Sequence, residues 1–226
     1  MWLRRLPGTE RVNAKGRKFM TFRTEEKLKI HPSRLPEFLE WLAENEAVIV
    51  HPPRRVVSVY LDNERLGMFH DSMEGVVPRK KLRFRRYEPR DKPATVWRLE
   101  SKVSSVEGRF KTSSPSDVNP HLLQGGFPDD QYGLCRPCVE VTYLRSYFAL
   151  TGVRITVDRD IGYRSFSLSL RSRLSTTDPD AVVELKAAHT LPADLLERLF
   201  PWDRTRFSKY CRAVEATLFH GNLRTA

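Results

Sequence analysis

The sequence predicts an α+β fold in which about eight antiparallel strands form a β-barrel or an open sheet with a few flanking helices. Three observations support this prediction. Most segments alternate polar and apolar residues like half-buried strands, few segments have helical periodicity, and strands do not alternate regularly with helices. The chain of 226 residues is long enough to bury a full hydrophobic core in a single domain.

Composition and charge limit the class of protein. Hydrophobic residues make up 40% of the chain, which argues against intrinsic disorder. No apolar run approaches the roughly 20 residues of a membrane-spanning helix. The N-terminal residues lack the pattern of a secretory signal peptide and there are 3 cysteines, so we expect a soluble, cytoplasmic protein. A net charge of +11 indicates an anionic partner, which could be nucleic acid, a membrane surface or a polyphosphorylated molecule.

The predicted elements run from an N-terminal arm to a C-terminal helix. Residues 1–18 are predicted as a basic arm and residues 19–220 as a single domain. Ser33 is predicted to cap the first helix. The spacing of apolar residues predicts helices over 35–46, 192–200 and 207–219. Alternation of polar and apolar residues predicts strands over 19–30, 56–62, 80–87, 96–103, 139–148, 154–160, 165–170 and 182–187.

One segment has neither periodicity. Residues 106–136 are rich in Ser, Pro, Gly, Asn and Asp, which predicts turns and a long excursion with a short helix near 121–124. We interpret this segment as a candidate mobile lid. At its end, Cys135 and Cys138 have zinc-like spacing, but a tetrahedral site needs two more ligands, so we expect a pair of reduced cysteines.

The polar faces of the predicted strands carry an excess of cations. Lys81, Arg83 and Arg85 share one strand face without any carboxylate. On the outside of a barrel these side chains would simply be solvated. If they face inward, they line a channel in which the like charges repel one another unless a polyanion, such as a chain of phosphates, is bound.

Three glutamates lie singly on cationic strand faces and have two interpretations. Carboxylate oxygens suit Mg²⁺ or Mn²⁺, which bridge phosphate oxygens during phosphoryl transfer. Glu25, Glu100 and Glu184 are therefore candidate metal ligands. The alternative is that each glutamate forms an ion pair with neighbouring Lys or Arg side chains.

Eight short segments, taken together and in order, resemble one known family. They are RTEEK at 23–27, SVYLD at 58–62, KLRFRRY at 81–87, LESK at 99–102, VTYLRSYF at 141–148, RITVDRDI at 154–161, VVELK at 182–186 and RFSKY at 206–210. Over roughly residues 20–215, the chain resembles the catalytic domain of the vacuolar transporter chaperone (VTC) complex. That domain is a polyphosphate polymerase of the triphosphate tunnel metalloenzyme superfamily.

The resemblance implies an eight-stranded tunnel that binds ATP and a growing polyphosphate beside a divalent metal, usually Mn²⁺. It implies catalytic roles for Arg83, Arg85, Lys102, Arg145 and Lys209. It implies substrate binding by Lys27, Lys81, Lys186, Ser208 and Tyr60, and Lys111 aligns loosely with a further basic position. Glu184 matches the metal-binding position. Ser208 has a second interpretation, as the cap of the following helix. In the implied reaction a phosphate end attacks the γ-phosphorus of ATP and ADP leaves, without a covalent protein intermediate.

Two rival functions remain open from the sequence. The main alternative is a triphosphatase that hydrolyses tripolyphosphate or a nucleoside triphosphate in the same tunnel. The superfamily motif Glu-x-Glu-x-Lys begins here with Arg23 instead of a glutamate, and this departure favours the polymerase. A nucleic-acid-binding module is less favoured because Phe84 and Trp97 lie on the face opposite the cations. We expect no specific nucleic acid, no SPX domain and no membrane span. A membrane-protein partner is compatible with the sequence, and the oligomeric state is not predicted.

Overall fold

The computed structural model describes residues 23–166, 175–188 and 193–219. Its main feature is a sheet of ten strands in antiparallel pairs. The strands are β1 (Arg23–Ile30), β2 (Val48–Asp62), β3 (Arg79–Pro89), β4 (Trp97–Ser105), β5 (Gly108–Ser116), β6 (Phe127–Asp129), β7 (Gly133–Leu150), β8 (Val153–Ser165), β9 (Ser175–Thr177) and β10 (Ala181–Ala188). Their order is β1-β10-β8-β7-β2-β3-β4-β5, while β6 pairs with β7 and β9 with β8.

The predicted fold class is confirmed, with a small difference in strand number. The path of eight strands corresponds to the expected antiparallel tunnel, and β6 and β9 are two additional short strands. Among the described residues no hydrogen-bonded ladder joins β1 to β5, so the sheet does not close into a continuous barrel. Glu25 on β1 nevertheless lies 3.7 Å from Lys102 on β4 and 3.7 Å from Arg109 on β5. The sheet therefore curls until its two ends face each other.

Four α-helices accompany the sheet in the described part of the chain. They are α1 (Leu35–Glu44), α2 (Gly67–Glu74), α3 (Ala193–Leu199) and α4 (Lys209–Val214), and a π-helical turn over Glu215–Phe219 extends α4. The sequence did not predict α2. The carboxylate of Asp62 stabilises its first turn by accepting the N–H groups of Met68 and Phe69, each at 3.0 Å. None of the helices in the described ranges is long and apolar enough to cross a membrane.

Two local predictions are wrong. Ser33 does not cap α1, because Pro32–Arg34 forms a 3₁₀ turn in which Nδ1 of His31 accepts the Ser33 N–H at 3.3 Å. The segment 106–136 is not a long excursion, since it contains β5, a 3₁₀ turn over Pro120–Leu122, β6 and the start of β7. β5 is an edge strand that is largely exposed, so its Ser- and Pro-rich composition resembles that of a loop. The arm over residues 1–18 and most of the predicted strand 165–170 lie outside the described residues.

The two faces of the curled sheet differ in chemistry as the alternation predicted. The outer face of β1, β10 and β8 is apolar and is covered by α1 and α3. Its buried cluster includes Leu28, Ile30, Phe38, Leu42, Ile155, Val157, Val183, Leu185, Leu196 and Phe200. The intervening residues of the same strands, such as Lys27, Glu184 and Asp158, point to the inner face. In this part of the sheet the hydrophobic core lies on the outer face, and the charged side chains lie on the inner face.

Candidate active site

The inner face of the sheet brings the sequence-predicted site residues together. Its cations include Lys27, Lys81, Arg83, Arg85, Lys102, Lys111, Arg145, Lys186 and Lys209, and the carboxylates among them are Glu25, Glu100, Asp158 and Glu184. Cations outnumber carboxylates in this set. The positive excess creates a potential that attracts a polyanion.

One cluster lies on β3, β4 and β5. Arg83 and Glu100 are directly opposite each other in the β3–β4 ladder, and Arg83 donates to Glu100 Oε2 at 2.6 and 2.8 Å. Lys111 on β5 donates to the other carboxylate oxygen at 2.7 Å. Burial alone would raise the pKa of Glu100, but the charges of Arg83, Arg85 and Lys111 outweigh it and lower the pKa to about 2. Glu100 is therefore ionised at neutral pH and holds these cations in place.

Tyr60 on β2 extends this cluster. Arg83 donates to the Tyr60 hydroxyl at 2.8 Å, and Arg85 donates to the Ser58 hydroxyl at 3.0 Å. Burial would raise the pKa of the Tyr60 phenol, but Arg83, Arg85 and Lys81 overcome that effect and lower it to about 8. A phenol with such a low pKa indicates a strongly positive potential at this point of the wall.

A second cluster is centred on Asp158 of β8. Arg145 on β7 donates to Asp158 from Nε at 2.5 Å and from Nη2 at 2.7 Å, and Lys209 of α4 donates to the same carboxylate at 2.7 Å. Burial opposes ionisation of Asp158, but Lys209 and Arg145 lower its pKa below the usual value. Asp158 was not among the sequence-predicted site residues. Its place on the polar face of its strand was visible, but its pairing with a residue 51 positions away was not.

The third cluster lies on β1 and β10. Lys186 contacts Glu184 at 2.7 Å and Glu25 at 3.8 Å, so two carboxylates face one ammonium group. Burial would raise the pKa of Glu184, but Lys186 and Arg145 lower it well below the usual value. Burial lowers the pKa of Lys102 to about 8, with a further contribution from the like charge of Lys27 and against the effect of Glu25. The charge of Lys102 therefore changes just above neutral pH, as does that of Tyr60.

The segment before α4 is anchored to the same wall. The Lys81 ammonium group donates to the Ser208 hydroxyl at 2.8 Å, and Lys27 donates to the carbonyl oxygen of Phe207 at 2.6 Å. Ser208 also caps α4, because its hydroxyl accepts the Cys211 N–H at 3.3 Å. Its cap interpretation is therefore confirmed, while its role in substrate binding stays a prediction.

Within the described ranges, three buried hydroxyl groups on the inner face have no hydrogen-bond partner. They are the buried hydroxyls of Tyr143 and Tyr147 on β7 and of Thr156 on β8. Arg145 and Lys209 lie over the Tyr143 ring, 5.2 and 4.9 Å from its centroid. A donor surrounded by cations needs an anionic acceptor, and a phosphate oxygen would provide one. None of the three was among the sequence-predicted site residues, although Tyr143 and Tyr147 lie in VTYLRSYF and Thr156 lies in RITVDRDI.

A cavity of about 30 Å³ lies between β3, β4 and β5 and is lined by Lys81, Arg83, Glu100, Lys102 and Lys111. A larger cleft of about 360 Å³, beside Asn63, Tyr132 and Arg136, contains none of the predicted site residues.

The predicted metal ligands fit a divalent cation in part. Among the described residues, no three His, Cys, Asp or Glu side chains come close enough to form a metal site by themselves. Glu25 and Glu184 converge on the Lys186 ammonium, however, and Mg²⁺ is commonly held by one or two carboxylates together with substrate phosphates. Glu100 is instead enclosed by cations. All three glutamates are ion-paired, as the alternative interpretation required, and their role in metal binding stays a prediction.

The cysteines that have zinc-like spacing belong to the hydrophobic core, where Cys135 is buried and Cys138 packs against the same cluster. Cys135 and Cys138 are free thiols, as is Cys211 on α4. Burial raises the pKa of Cys135 to about 11, and burial raises that of Cys138 further. Both thiols therefore stay protonated at neutral pH, which makes them poor nucleophiles and poor metal ligands.

Several solved structures resemble the chain at low similarity. A candidate adenylate cyclase from Vibrio parahaemolyticus has 15% identity and a TM-score of 0.49, over 81% of this chain and 94% of its own. A candidate adenylate cyclase from Bacillus halodurans has 12% identity and a TM-score of 0.49, over 84% and 96%. A candidate adenylyl cyclase from Hippeastrum, with a dominant triphosphatase activity, has 14% identity and a TM-score of 0.49, over 87% and 97%. These similarities are too low to assign an activity.

The family assignment comes from a different comparison. No curated protein matches the chain. A family model described as the VTC domain, by contrast, matches residues 22–120 and 129–218, which together are most of the chain. The matched residues include all eight motifs and the eight strands of the main path of the sheet. This chain belongs to the VTC domain family.

Proposed function

We propose that this protein is a polyphosphate polymerase, which transfers the γ-phosphate of ATP to the end of a growing inorganic polyphosphate chain. The observation that carries the proposal is the inner wall of the sheet. Arginines and lysines from β1, β3, β4, β7, β10 and α4, most of them half-buried, face one another there with fewer carboxylates between them. Membership of the VTC domain family supports this proposal over a general anion-binding role.

The proposed reaction needs positioning and charge neutralisation rather than covalent catalysis. An oxygen of the terminal phosphate of the acceptor attacks the γ-phosphorus of ATP, and a new P–O bond forms. The bond from the γ-phosphorus to the β–γ bridging oxygen breaks, and ADP leaves with the electron pair on its β-phosphate. Arg83, Arg85, Lys102, Arg145 and Lys209 stabilise the equatorial oxygens of the transferred group. No general base is needed, because the attacking oxygen is already anionic at neutral pH.

The carboxylates divide into two roles in this proposal. Glu100 and Asp158 keep the arginines at fixed positions, because each accepts short hydrogen bonds from more than one cation. Glu184 and Glu25 would hold Mn²⁺ or Mg²⁺ when substrate is present. The bound metal would neutralise charge on the β- and γ-phosphates. Lys186 would then pair with phosphate oxygens instead of with Glu184.

The experiment that tests the proposal uses the purified protein, ATP labelled at the γ-phosphate, and Mn²⁺. Reaction products are separated on a gel that resolves long polyphosphate from free phosphate, and ADP is quantified in parallel. We expect a ladder of labelled polyphosphate with one ADP released for each phosphate added. Free phosphate as the sole labelled product would reject the polymerase and assign a triphosphatase.

A pair of variants connects the activity to the tunnel. Lys102→Ala removes a cation whose side chain is 42% exposed and whose ion pair with Glu25 is long, so the fold should persist. Lys92→Ala is the matched control, because Lys92 is exposed in the turn between β3 and β4. We expect Lys102→Ala to lower the rate of chain extension by at least about tenfold, which corresponds to the loss of one charged contact to the transferred group. Lys92→Ala should retain the full rate.

A further inference from the structure

The inner face of β2 carries an arginine that was not among the sequence-predicted site residues. Arg54 is half-buried and lies directly opposite Arg145 of β7 in the antiparallel ladder, so both side chains project from the same face. The charge of Arg145 is balanced by Asp158. Among the described residues Arg54 forms no ion pair, and its guanidinium carbon lies 5.4 Å from the centroid of the Tyr147 ring. Arg54 is therefore a cation of the wall that can still pair with an anion.

The sequence of β2 explains why Arg54 lies beside Tyr147. Pro52 and Pro53 lack the N–H group that a ladder needs, and the register of β2 with β7 shifts on both sides of His51. Such irregularities change the direction of the side chains around them. The ladder resumes at Arg54, and the His51 ring also packs on Tyr147, with centroids 5.5 Å apart.

Two buried hydroxyl groups beside Arg54 have no hydrogen-bond partner in the part of the chain that the structure describes. They belong to Tyr147 and to Thr156, which are directly opposite each other in the β7–β8 ladder. Thr156 is only 8% exposed. Burial raises the pKa of Tyr147 to about 12, against the effect of Arg145, so its hydroxyl keeps the proton at neutral pH. Both hydroxyls are available as donors, and leaving them unpaired costs free energy.

These groups lie on the part of the wall that is remote from α4. Tyr60 of β2 stacks on Tyr210 of α4. Arg54 precedes Tyr60 on the same strand by about 20 Å, at about 3.3 Å per residue. A phosphate chain held by Arg145 and Lys209 would therefore reach Arg54 where it continues away from α4.

We propose that Arg54, Tyr147 and Thr156 form a further phosphate subsite, which binds the phosphate group next to the one held by Arg145 and Lys209. This inference rests on the proposed function and extends its binding site. One guanidinium and two hydroxyl groups suit a phosphate, because its oxygens accept several hydrogen bonds at once and those from a cation are strong. An inorganic polyphosphate and a nucleoside triphosphate both offer such a group, and separate affinity measurements distinguish them.

The role of Arg54 is tested by titration calorimetry of the full-length protein with long polyphosphate, with tripolyphosphate and with a non-hydrolysable ATP analogue. Arg54→Gln should lower the affinity for at least one of these ligands by at least about tenfold, because a charge-assisted hydrogen bond is lost. Arg55→Gln is the matched control, since it removes an equal charge from the opposite strand face, where Arg55 lies 3.8 Å from Glu88. A loss confined to the polyphosphates assigns the subsite to the polyphosphate chain, and a loss with the ATP analogue assigns it to the nucleotide.

The two hydroxyl groups provide a second, independent test. Tyr147→Phe and Thr156→Val remove hydroxyls that are unpaired in the free protein, so urea unfolding should show a stability equal to or above that of the wild type. Each variant should nevertheless bind severalfold more weakly the ligand that Arg54→Gln affects, because these hydrogen bonds form only with the bound phosphate. Lower stability with unchanged affinity would indicate a purely structural role and would contradict the subsite.

Failure of the subsite and failure of the proposed function give different results. Lys102→Ala changes the wall that is proposed to bind the transferred phosphate, so it should lower the affinity in the same assay. If it does so while Arg54→Gln binds all three ligands as tightly as Arg55→Gln, the subsite is wrong and the proposed function stands. If the wild-type protein binds none of the three ligands, both are rejected.

Discussion

Lys102 and Tyr60 are residues of the inner wall whose charge changes with pH just above neutrality. Burial lowers the pKa of Lys102 to about 8, and the surrounding cations lower that of Tyr60 to about 8 despite its burial. Below this pH Lys102 is a cation and Tyr60 is neutral. Above it Lys102 loses its positive charge and Tyr60 becomes negative, so both changes weaken attraction for a phosphate.

The affinity of the protein for tripolyphosphate should therefore fall as the pH rises through 8. One pH unit above its pKa a group is about nine-tenths deprotonated, so each group contributes up to about tenfold between pH 7 and 9. Lys102→Arg keeps its charge over this range and should flatten the dependence, as should Tyr60→Phe. Titration calorimetry at a series of pH values measures the effect. Slopes for both variants equal to that of the wild-type protein, or of Lys92→Arg, would contradict the assignment.

Glu100 should stabilise the folded protein and lose this effect in acid. Its pKa falls from 4.5 to about 2 on folding, so the contribution is complete above pH 4.5 and disappears as the pH drops through 2. The difference corresponds to about 3 kcal/mol of unfolding free energy. In urea unfolding, Glu100→Gln should lower stability by that order at pH 7. The unfolding free energies of the wild-type protein and the variant should converge near pH 2. An equal difference at pH 7 and pH 2 would show that the lowered pKa of Glu100 is not the cause.

At the scale of elements, a buried carboxylate links two helices. Asp62 accepts N–H groups from the first turn of α2, and the Tyr210 hydroxyl of α4 donates to the same carboxylate. The Tyr210 ring stacks on Tyr60, with centroids 4.9 Å apart. Because Lys209 precedes Tyr210 in α4, these contacts also set the position of the Lys209 ammonium group over Asp158.

Removing the Tyr210 hydroxyl should affect both stability and function. Tyr210→Phe should lower the free energy of unfolding by about 1–2 kcal/mol, because Asp62 loses one buried hydrogen bond. It should also weaken tripolyphosphate binding through Lys209. Tyr132→Phe is the control, since its hydroxyl donates to Asp71 on α2 at 2.7 Å without contacting α4. This control should show reduced stability with unchanged affinity. Equal affinities of Tyr210→Phe and Tyr132→Phe for tripolyphosphate would show that the Tyr210 hydroxyl does not position Lys209.

The sequence predicted strands with a strong alternation and missed elements without one. On β3, Lys81, Arg83 and Arg85 alternate with buried Leu82 and Phe84, so their common face was evident. β5 is exposed on most of its residues, so no apolar face distinguished it from a loop. The partners of the charges were not predictable either. The contacts of Glu100 with Arg83 and Lys111 depend on the register of three strands, which composition does not contain.

At the scale of the whole molecule, the net charge of +11 and the inner wall act over different distances. The overall charge attracts anions from solution, within about a Debye length of 8–10 Å at moderate salt. The bound ligand is held by contacts inside the wall, and salt screens these partly buried contacts less. The two contributions should therefore separate in the rates of binding.

Raising the salt concentration should slow association more than it accelerates dissociation. Between about 0.05 and 0.5 M salt we expect the association rate of tripolyphosphate to fall by at least about tenfold, while the dissociation rate changes little. Stopped-flow measurements with a fluorescent tripolyphosphate provide both rates. A dissociation rate that increases in proportion would indicate that the ligand is held on the exposed surface.

Stability and chemistry occupy opposite sides of the same strands in this protein. On β10, Val183 and Leu185 pack against the helices, while Glu184 and Lys186 belong to the inner wall. Successive residues of a strand point to opposite faces, so one residue inserted or deleted in β10 would exchange the faces of all the residues beyond it. Ionic groups would then enter the apolar core and apolar side chains would line the tunnel. We therefore expect changes in chain length to be tolerated in the turns between strands rather than inside β10.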